Sequence, residues 1–310
     1  MRRFYLSFLF LSCFWMIGCA AVTVSKNDTA KALAASAHME SHEIPAGRFL
    51  LTSYARIDHP ELPTTIYIEG DGQAWLSRFE PSRDPTPTDP VALRLAVLDP
   101  APNVIYLARP CQYTKMLDKT ACNPDYWTNK RFAPEVIDAM NGALDEIKNH
   151  YHLSNFNLVG YSGGGAVAIL LTAQRHDISS LRTIAGNLDS DKFTAIHEVS
   201  PLNGSLNPAS VAVKIATIPQ YHFIGSNDQI IPFEIYTSYR QAAGPSSCIH
   251  SKVVDEADHH QGWVQIWPKL LNLPVTCTSL YTFSDRGNVP DQDHGDGHEL
   301  HDSVHLLQHR

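Results

Sequence analysis

The stretch Asn157-Leu158-Val159-Gly160-Tyr161-Ser162-Gly163-Gly164-Gly165 constrains this chain more than any other. It joins a short apolar run at residues 156–160 to an alanine-rich helical pattern at residues 164–175, and the joint reads G-x-S-x-G. A strand that enters a helix through so few residues must turn sharply, which leaves the side chain at the apex exposed. Glycines flank the apex because side chains there would collide across the turn. Ser162 stands at that apex, with the first N–H groups of the helix beneath it. A strand on one side and a helix on the other separate this match from a chance run of five letters. The arrangement is that of a nucleophile.

The rest of the chain supplies a scaffold for such a turn. Short apolar or β-branched runs occur at residues 49–57, 64–69, 103–108, 181–185, 221–225 and 252–254. Helical patterns lie between them at residues 91–98, 134–151, 233–243 and 263–271. In the clearest, Val136, Met140, Leu144 and Ile147 share one face. Continuous apolar strands alternating with helices predict an α/β fold, a mostly parallel sheet with helices on both faces. The connection over residues 187–219 is too short for a large helical lid, so a short cap or none is expected. The sequence holds no glycine-rich phosphate loop of the Walker or dinucleotide type.

A serine nucleophile needs a base, and the base needs an acid to orient it. Tyr221-His222-Phe223-Ile224-Gly225-Ser226-Asn227-Asp228 reads as a strand running into a polar loop, and Pro232 then opens a helix. Asp228 is the candidate acid; Asp189, in Gly186-Asn187-Leu188-Asp189, is its rival. The base belongs to Asp258-His259-His260-Gln261-Gly262-Trp263, a second strand-to-helix loop. Adjacent histidines point in different directions, so one of them serves, with His259 preferred and His260 the alternative. His222 falls inside a strand and reads as a core or surface residue. An oxyanion hole would draw one N–H from Gly163 and a second from the loop Glu69-Gly70-Asp71-Gly72-Gln73, at Asp71 or Gly72.

From about residue 48 to residue 273 the chain resembles the α/β-hydrolase superfamily, and more narrowly bacterial α/β-hydrolase lipoproteins of undefined substrate. The resemblance rests on Tyr67-Ile68-Glu69-Gly70-Asp71-Gly72, Ala108-Arg109-Pro110-Cys111-Gln112-Tyr113, Gly160-Tyr161-Ser162-Gly163-Gly164-Gly165, Ala185-Gly186-Asn187-Leu188-Asp189 and His259-His260-Gln261-Gly262-Trp263. It implies the order nucleophile, acid, histidine, hence Ser162, Asp228 and His259, with the histidine three positions before Gly-Trp as base. It implies nothing firm about substrate; the expected function is that of a cofactor-free serine hydrolase acting through an acyl-enzyme on a small ester or acyl substrate. A carboxylic ester comes first, an amide or thioester second. The rivals are a peptidase on the same three residues and a non-catalytic envelope lipoprotein that binds a ligand or partner.

The N-terminus carries a separate message. Arg2 and Arg3 precede FYLSFLFLSCFWMI, an apolar run too short to span a bilayer, and Met16-Ile17-Gly18-Cys19 follows the pattern of a bacterial lipobox. Residues 1–18 are therefore expected to be a leader and Cys19 the lipidated anchor of an exported protein. Ala20 after the cysteine favours outer-membrane sorting, and cleavage near Ala20-Ala21 is the alternative. Removing residues 1–18 takes away two arginines and no acid, moving the net charge from −8 to −10. That balance offers nothing to a nucleic acid. Residues 19–47 lack sustained apolar periodicity and read as a tether, residues 48–275 as the hydrolase domain, and residues 276–310 as a His- and Asp-rich extension. With Cys13 in the leader and Cys19 as anchor, Cys111, Cys122, Cys248 and Cys277 remain, an even number in an exported chain. Proximity favours Cys111–Cys122 and Cys248–Cys277 among three connectivities; free thiols are the alternative.

Other residues invite a role in binding. Arg109, after a strand, could clamp a substrate carboxylate or phosphate, or form an ion pair with Glu69 or Asp71. Trp75, Tyr113, Trp127 and Tyr161 could line a substrate pocket or pack in the core. His301, His305 and His309 recur four apart and on a helix could hold zinc, copper or nickel, an accessory site for a chemistry that needs no metal.

Overall fold

A computed structural model describes residues 25–114 and 121–278. The leader, Cys19 and the histidines at 301, 305 and 309 lie outside the described residues. The strands are β1 (Glu40–Ala46), β2 (Phe49–Ile57), β3 (Thr64–Ile68), β4 (Trp75–Ser77), β5 (Glu80–Pro81), β6 (Asn103–Leu107), β7 (Phe156–Tyr161), β8 (Ile178–Ile184), β9 (Gln220–Gly225) and β10 (Ile249–Val254). Eight of them form one sheet in the order β1-β2-β6-β3-β7-β8-β9-β10, while β4 and β5 make a separate small hairpin. From β6 to β10 every neighbouring pair is parallel; β1–β2 and β2–β6 are antiparallel. Every residue of β3 and β6 is buried, as their unbroken apolar runs require of strands covered on both faces.

The helices are α1 (Lys26–Ser36), α2 (Val91–Val97), α3 (Pro134–Tyr151), α4 (Gly163–Gln174), α5 (Ser190–Ile196), α6 (Phe233–Ala243) and α7 (Trp263–Leu271). Each sheet face has its own core. One packs Ile66, Ile68 and Leu158 against Met140 and Leu144 of α3, Val167 of α4 and Ile235 of α6. The other packs Tyr67, Tyr106 and Val159 against Leu93 of α2 and Trp263 and Trp267 of α7. Trp267 Nε1–H donates to the Tyr67 hydroxyl at 3.1 Å, tying the last helix to β3 across 200 residues of sequence. Between β8 and β9 the chain makes α5 and a 3₁₀ helix at Pro208–Ile215, with no large lid.

One expectation is corrected. Residues 26–46, read as part of a tether, form α1 and the edge strand β1. Ala30 and Ala34 of α1 are buried in the second core, and Ile44 and Ala46 of β1 in the first. The signal was weak because α1 buries alanines rather than large apolar side chains, and only the end of β1 alternates. At the start of α1 the Lys26 ammonium donates to Gln73 Oε1 at 2.8 Å and to the Thr86 carbonyl at 2.6 Å. Disulfides join Cys111 to Cys122 and Cys248 to Cys277. Among the described residues, no helix is long and apolar enough to cross a membrane.

Candidate active site

β7 ends at Tyr161 and α4 begins at Gly163, so Ser162 carries the whole turn, at φ 51° and ψ −120°. A residue with a side chain seldom adopts positive φ, and such strain persists only where the surroundings over-determine it. Here the Ser162 N–H donates to the Ile184 carbonyl at 2.9 Å, and the Ser162 carbonyl accepts from Asn187 and Gly165 N–H at 3.0 Å each. A Cβ on Gly160 would lie 2.3 Å from the Gly164 carbonyl oxygen, which is why the motif begins with glycine.

His259 and Asp228 meet this serine from the loops after β10 and β9. Ser162 Oγ lies 2.9 Å from His259 Nε2, and His259 Nδ1 lies 3.0 Å from Asp228 Oδ2. With the serine hydroxyl donating to Nε2, the imidazole is the Nδ1–H tautomer and donates to the carboxylate. The other carboxylate oxygen, Oδ1, accepts from the N–H groups of Ile230 at 2.9 Å and Ile231 at 2.8 Å, so the buried Asp228 is oriented from both ends.

The base loop is aimed by its neighbours. Asp258 Oδ1 accepts from the N–H groups of His260 and Gln261 at 2.7 Å each, and these bonds hold its carboxyl below the usual range. Trp263 Nε1–H donates to the Asp258 carbonyl at 2.8 Å, and the Tyr161 hydroxyl to the His259 carbonyl at 2.7 Å. The His260 ring turns edge-on to His259, with Nδ1 3.4 Å from the Tyr161 hydroxyl; burial and the neighbouring His259 lower its pKa. It is His259, not His260, that the structure brings to Ser162.

The rival acid has other work. Asp189 caps α5, Oδ1 accepting from Asp191 and Lys192 N–H at 3.1 Å and from Asn207 Nδ2 at 2.9 Å, while Ser238 Oγ donates to Oδ2. Burial pushes its pKa up, but these donors outweigh it and hold the carboxyl below the usual range.

Gly163 is the first residue of α4, so its N–H has no carbonyl one turn back in the helix. Opposite it passes the loop after β3. A Cβ on Gly70 would sit 3.2 Å from Ser162 Cβ, placing the Gly70–Asp71 peptide against the nucleophile. The missing side chain of Gly72 instead faces the Pro85 carbonyl oxygen. Of the two candidates, Asp71 is the one that directly follows the glycine approaching Ser162.

The Asp71 side chain fills the space that glycine leaves at 163, where a Cβ would lie 2.1 Å from its Oδ1. Its carboxylate is gripped by two arginines, Arg109 Nη1 at 3.3 Å from Oδ1 and Arg131 Nη1 at 2.6 Å from Oδ2. Arg109 is buried, lies over the Phe132 ring, and also donates to the Arg131 carbonyl. Of the two ion pairs expected for it, the structure holds the one with Asp71. Glu69 is buried separately: Oε1 accepts from Gly70 N–H at 3.0 Å and Ala92 N–H at 3.4 Å, and Oε2 from the Tyr106 hydroxyl at 3.1 Å. Burial pushes its pKa up to about 7. Gln112 Nε2–H donates to the Gly70 carbonyl at 2.9 Å, so the Cys111–Cys122 segment braces the same loop. Arg131 was not legible as a site residue, because it belongs to no motif that names its partner, and Glu69 was legible only as a partner for Arg109, which pairs with Asp71 instead.

Trp75 lies exposed on β4, whereas Tyr113 and Trp127 are buried, the latter donating from Nε1 to the Ser82 carbonyl at 3.0 Å. Among the described residues no cluster of His, Cys, Asp and Glu is arranged to hold a metal ion.

No protein-family profile matches the sequence, and no curated protein matches it. Solved structures do match. An esterase of Pyrococcus furiosus superposes with a TM-score of 0.55 at 14% identity, over 78% of this chain and 89% of that one. A structure described as a lipase of Acinetobacter baumannii superposes with a TM-score of 0.54 at 14% identity, over 82% of this chain and 98% of that one. A puromycin-hydrolyzing peptidase of Mycobacterium tuberculosis gives 0.54 at 14% identity, over 75% of this chain and 37% of its own. At such identities the likeness is one of fold.

Proposed function

We propose that this chain, which has the α/β-hydrolase fold, is a serine hydrolase of carboxylic esters working through an acyl-enzyme. The observation that carries the reading is the unbroken relay Ser162 Oγ–His259 Nε2 at 2.9 Å and His259 Nδ1–Asp228 Oδ2 at 3.0 Å. In this mechanism Ser162 Oγ attacks the substrate carbonyl while His259 Nε2 takes its proton. Asp228 holds the imidazolium that forms, and the N–H groups of Gly163 and Asp71 receive the oxyanion. Collapse of the tetrahedral species expels the alcohol, protonated by His259. Water then repeats the cycle on the acyl-enzyme and frees the acid.

Buried Arg109 is engaged by Asp71, which leaves the peptidase reading without the arginine that was to grip a peptide terminus. A fluorophosphonate probe tests the chemistry: it labels the folded chain and fails to label Ser162→Ala. Absence of label on the folded wild type refutes the serine-hydrolase reading. Turnover of p-nitrophenyl acyl esters above that of aminoacyl p-nitroanilides separates esterase from peptidase.

The lipobox-like Met16-Ile17-Gly18-Cys19 supports a further part of the proposal, that the protein works in the cell envelope, lipid-anchored through Cys19. Incorporation of labelled fatty acid into the wild type and not into Cys19→Ser is the expected result. Equal incorporation into both refutes the anchor.

A further inference from the structure

We propose that the catalytic rim docks on a lipid bilayer through the β4–β5 hairpin, so that the anchored protein works with its active site facing the membrane. The inference builds on the esterase and Cys19 readings. Its first support is apolar exposure. Trp75, Leu76 and Phe79 of the hairpin are 42%, 54% and 85% exposed, an unusual display for three large apolar side chains within five residues. They belong to the segment that leaves the oxyanion loop, since Gln73 N–H bonds the Pro85 carbonyl and Ser82 N–H the Ala74 carbonyl, fastening the base of the hairpin to that loop. After β9, Ile230 on the loop that carries Asp228 and Phe233 at the start of α6 are exposed as well. Apolar side chains thus flank the catalytic residues on both sides.

The second support is where the anchor enters. Lys26, at the start of α1, bonds Gln73 and the Thr86 carbonyl, the two ends of the hairpin segment. Cys19 precedes Ser25 by six residues, and an extended chain covers at most about 3.6 Å per residue. The lipid anchor is then held within roughly 20 Å of Ser25, the neighbour of the Lys26 whose side chain reaches the hairpin segment. A tether that short keeps the hairpin side of the protein near the lipid. The third support is chemical. Arg78 sits between Leu76 and Phe79 with its guanidinium 6.0 Å from the Phe79 ring, so the charge can remain at the headgroup phosphates while the rings enter the acyl region. With residues 1–18 removed the net charge of −10 gives no general attraction to anionic lipid, so docking rests on these apolar side chains.

The test uses the processed chain, residues 19–310 carrying Cys19→Ser, which lacks both the acyl anchor and the leader with its Trp15, and vesicles of phosphatidylethanolamine and phosphatidylglycerol with brominated acyl chains. Trp75 is the reporter, since Trp127, Trp263 and Trp267 are buried. Expected are quenching by the vesicles that vanishes in Trp75→Phe and, in Leu76→Ser/Phe79→Ser, a rise of about tenfold or more in the lipid needed. The same double variant should hydrolyse soluble p-nitrophenyl acetate at the wild-type rate and lose about tenfold on a long-chain ester embedded in the vesicles. Quenching that survives Trp75→Phe, no quenching, or an equal loss on both esters overturns the docking. A chain inert on both esters whose Trp75 is still quenched refutes the esterase reading and leaves the docking standing. Hydrolysis of the soluble ester without quenching does the reverse.

Discussion

Glu69→Gln should remove a slope from the protein's stability curve. Among the described residues no cation contacts the Glu69 carboxylate; its bonds come from two backbone N–H groups and the Tyr106 hydroxyl. Burial moves its pKa from 4.5 to about 7. Between those values the folded protein keeps a proton that the unfolded chain has released, so stability falls as pH rises through this window and is level above it. At about 1.36 kcal/mol for each pH unit, the fall amounts to about 3 kcal/mol. Glutamine has the same shape and can accept from Gly70 and Ala92, but it cannot ionise. Urea unfolding of both proteins at intervals from pH 4.5 to pH 8, followed by tryptophan fluorescence, reads the difference directly. Groups that titrate in both proteins cancel in the subtraction. Wild-type stability should drop relative to the variant by about 3 kcal/mol between pH 4.5 and pH 7, most steeply in the middle of that window. Parallel curves would refute the argument, because they would mean that Glu69 ionises in the fold as freely as in the unfolded chain.

Three further substitutions probe the site. Asp228→Asn should lower kcat by about 10⁴, as expected when the base loses its orienting carboxylate. Asp189→Asn should leave kcat near wild type and lower Tm by the modest amount a helix cap contributes, so steady-state kinetics with a melting curve separates the two acids. Gly163→Ala forces a methyl into the space held by Asp71 Oδ1 and should cost at least about 10² in kcat by disturbing the oxyanion donors, with KM less affected. A variant within threefold of wild type would show that the Gly163–Asp71 contact is immaterial.

The sequence makes the sheet legible because β3, β6 and β7 are apolar on both faces, and α3 because its apolar face persists over eighteen residues. Ser162, Asp228 and His259 are legible for a different reason: each follows a strand whose end can be read, and each sits on a loop too short to wander. Preference for His259 over His260 rested on the Gly-Trp that follows, and the structure gives a physical cause in the Asp258 turn, the Trp263 indole and the Tyr161 hydroxyl. What stayed hidden depends on long-range pairing. Arg131 stands sixty residues from its partner Asp71, in a loop without periodicity. The role of α1 escaped because its buried residues are alanines, whose burial leaves little trace in an apolar pattern.

The hydrogen bond from Trp267 to Tyr67 bears on when chemistry can begin. The nucleophile and both proposed oxyanion donors are encoded by residue 163, while the base arrives nearly a hundred residues later and is held in place by Trp263, the first residue of α7. Until that last described helix closes over β3, the growing polypeptide carries a serine hydroxyl with no seated proton acceptor. On the proposed reading that residues 1–18 direct export, a chain exported before it folds would be catalytically silent in transit. Its reactivity switches on with the final docking event, in the compartment where folding is completed.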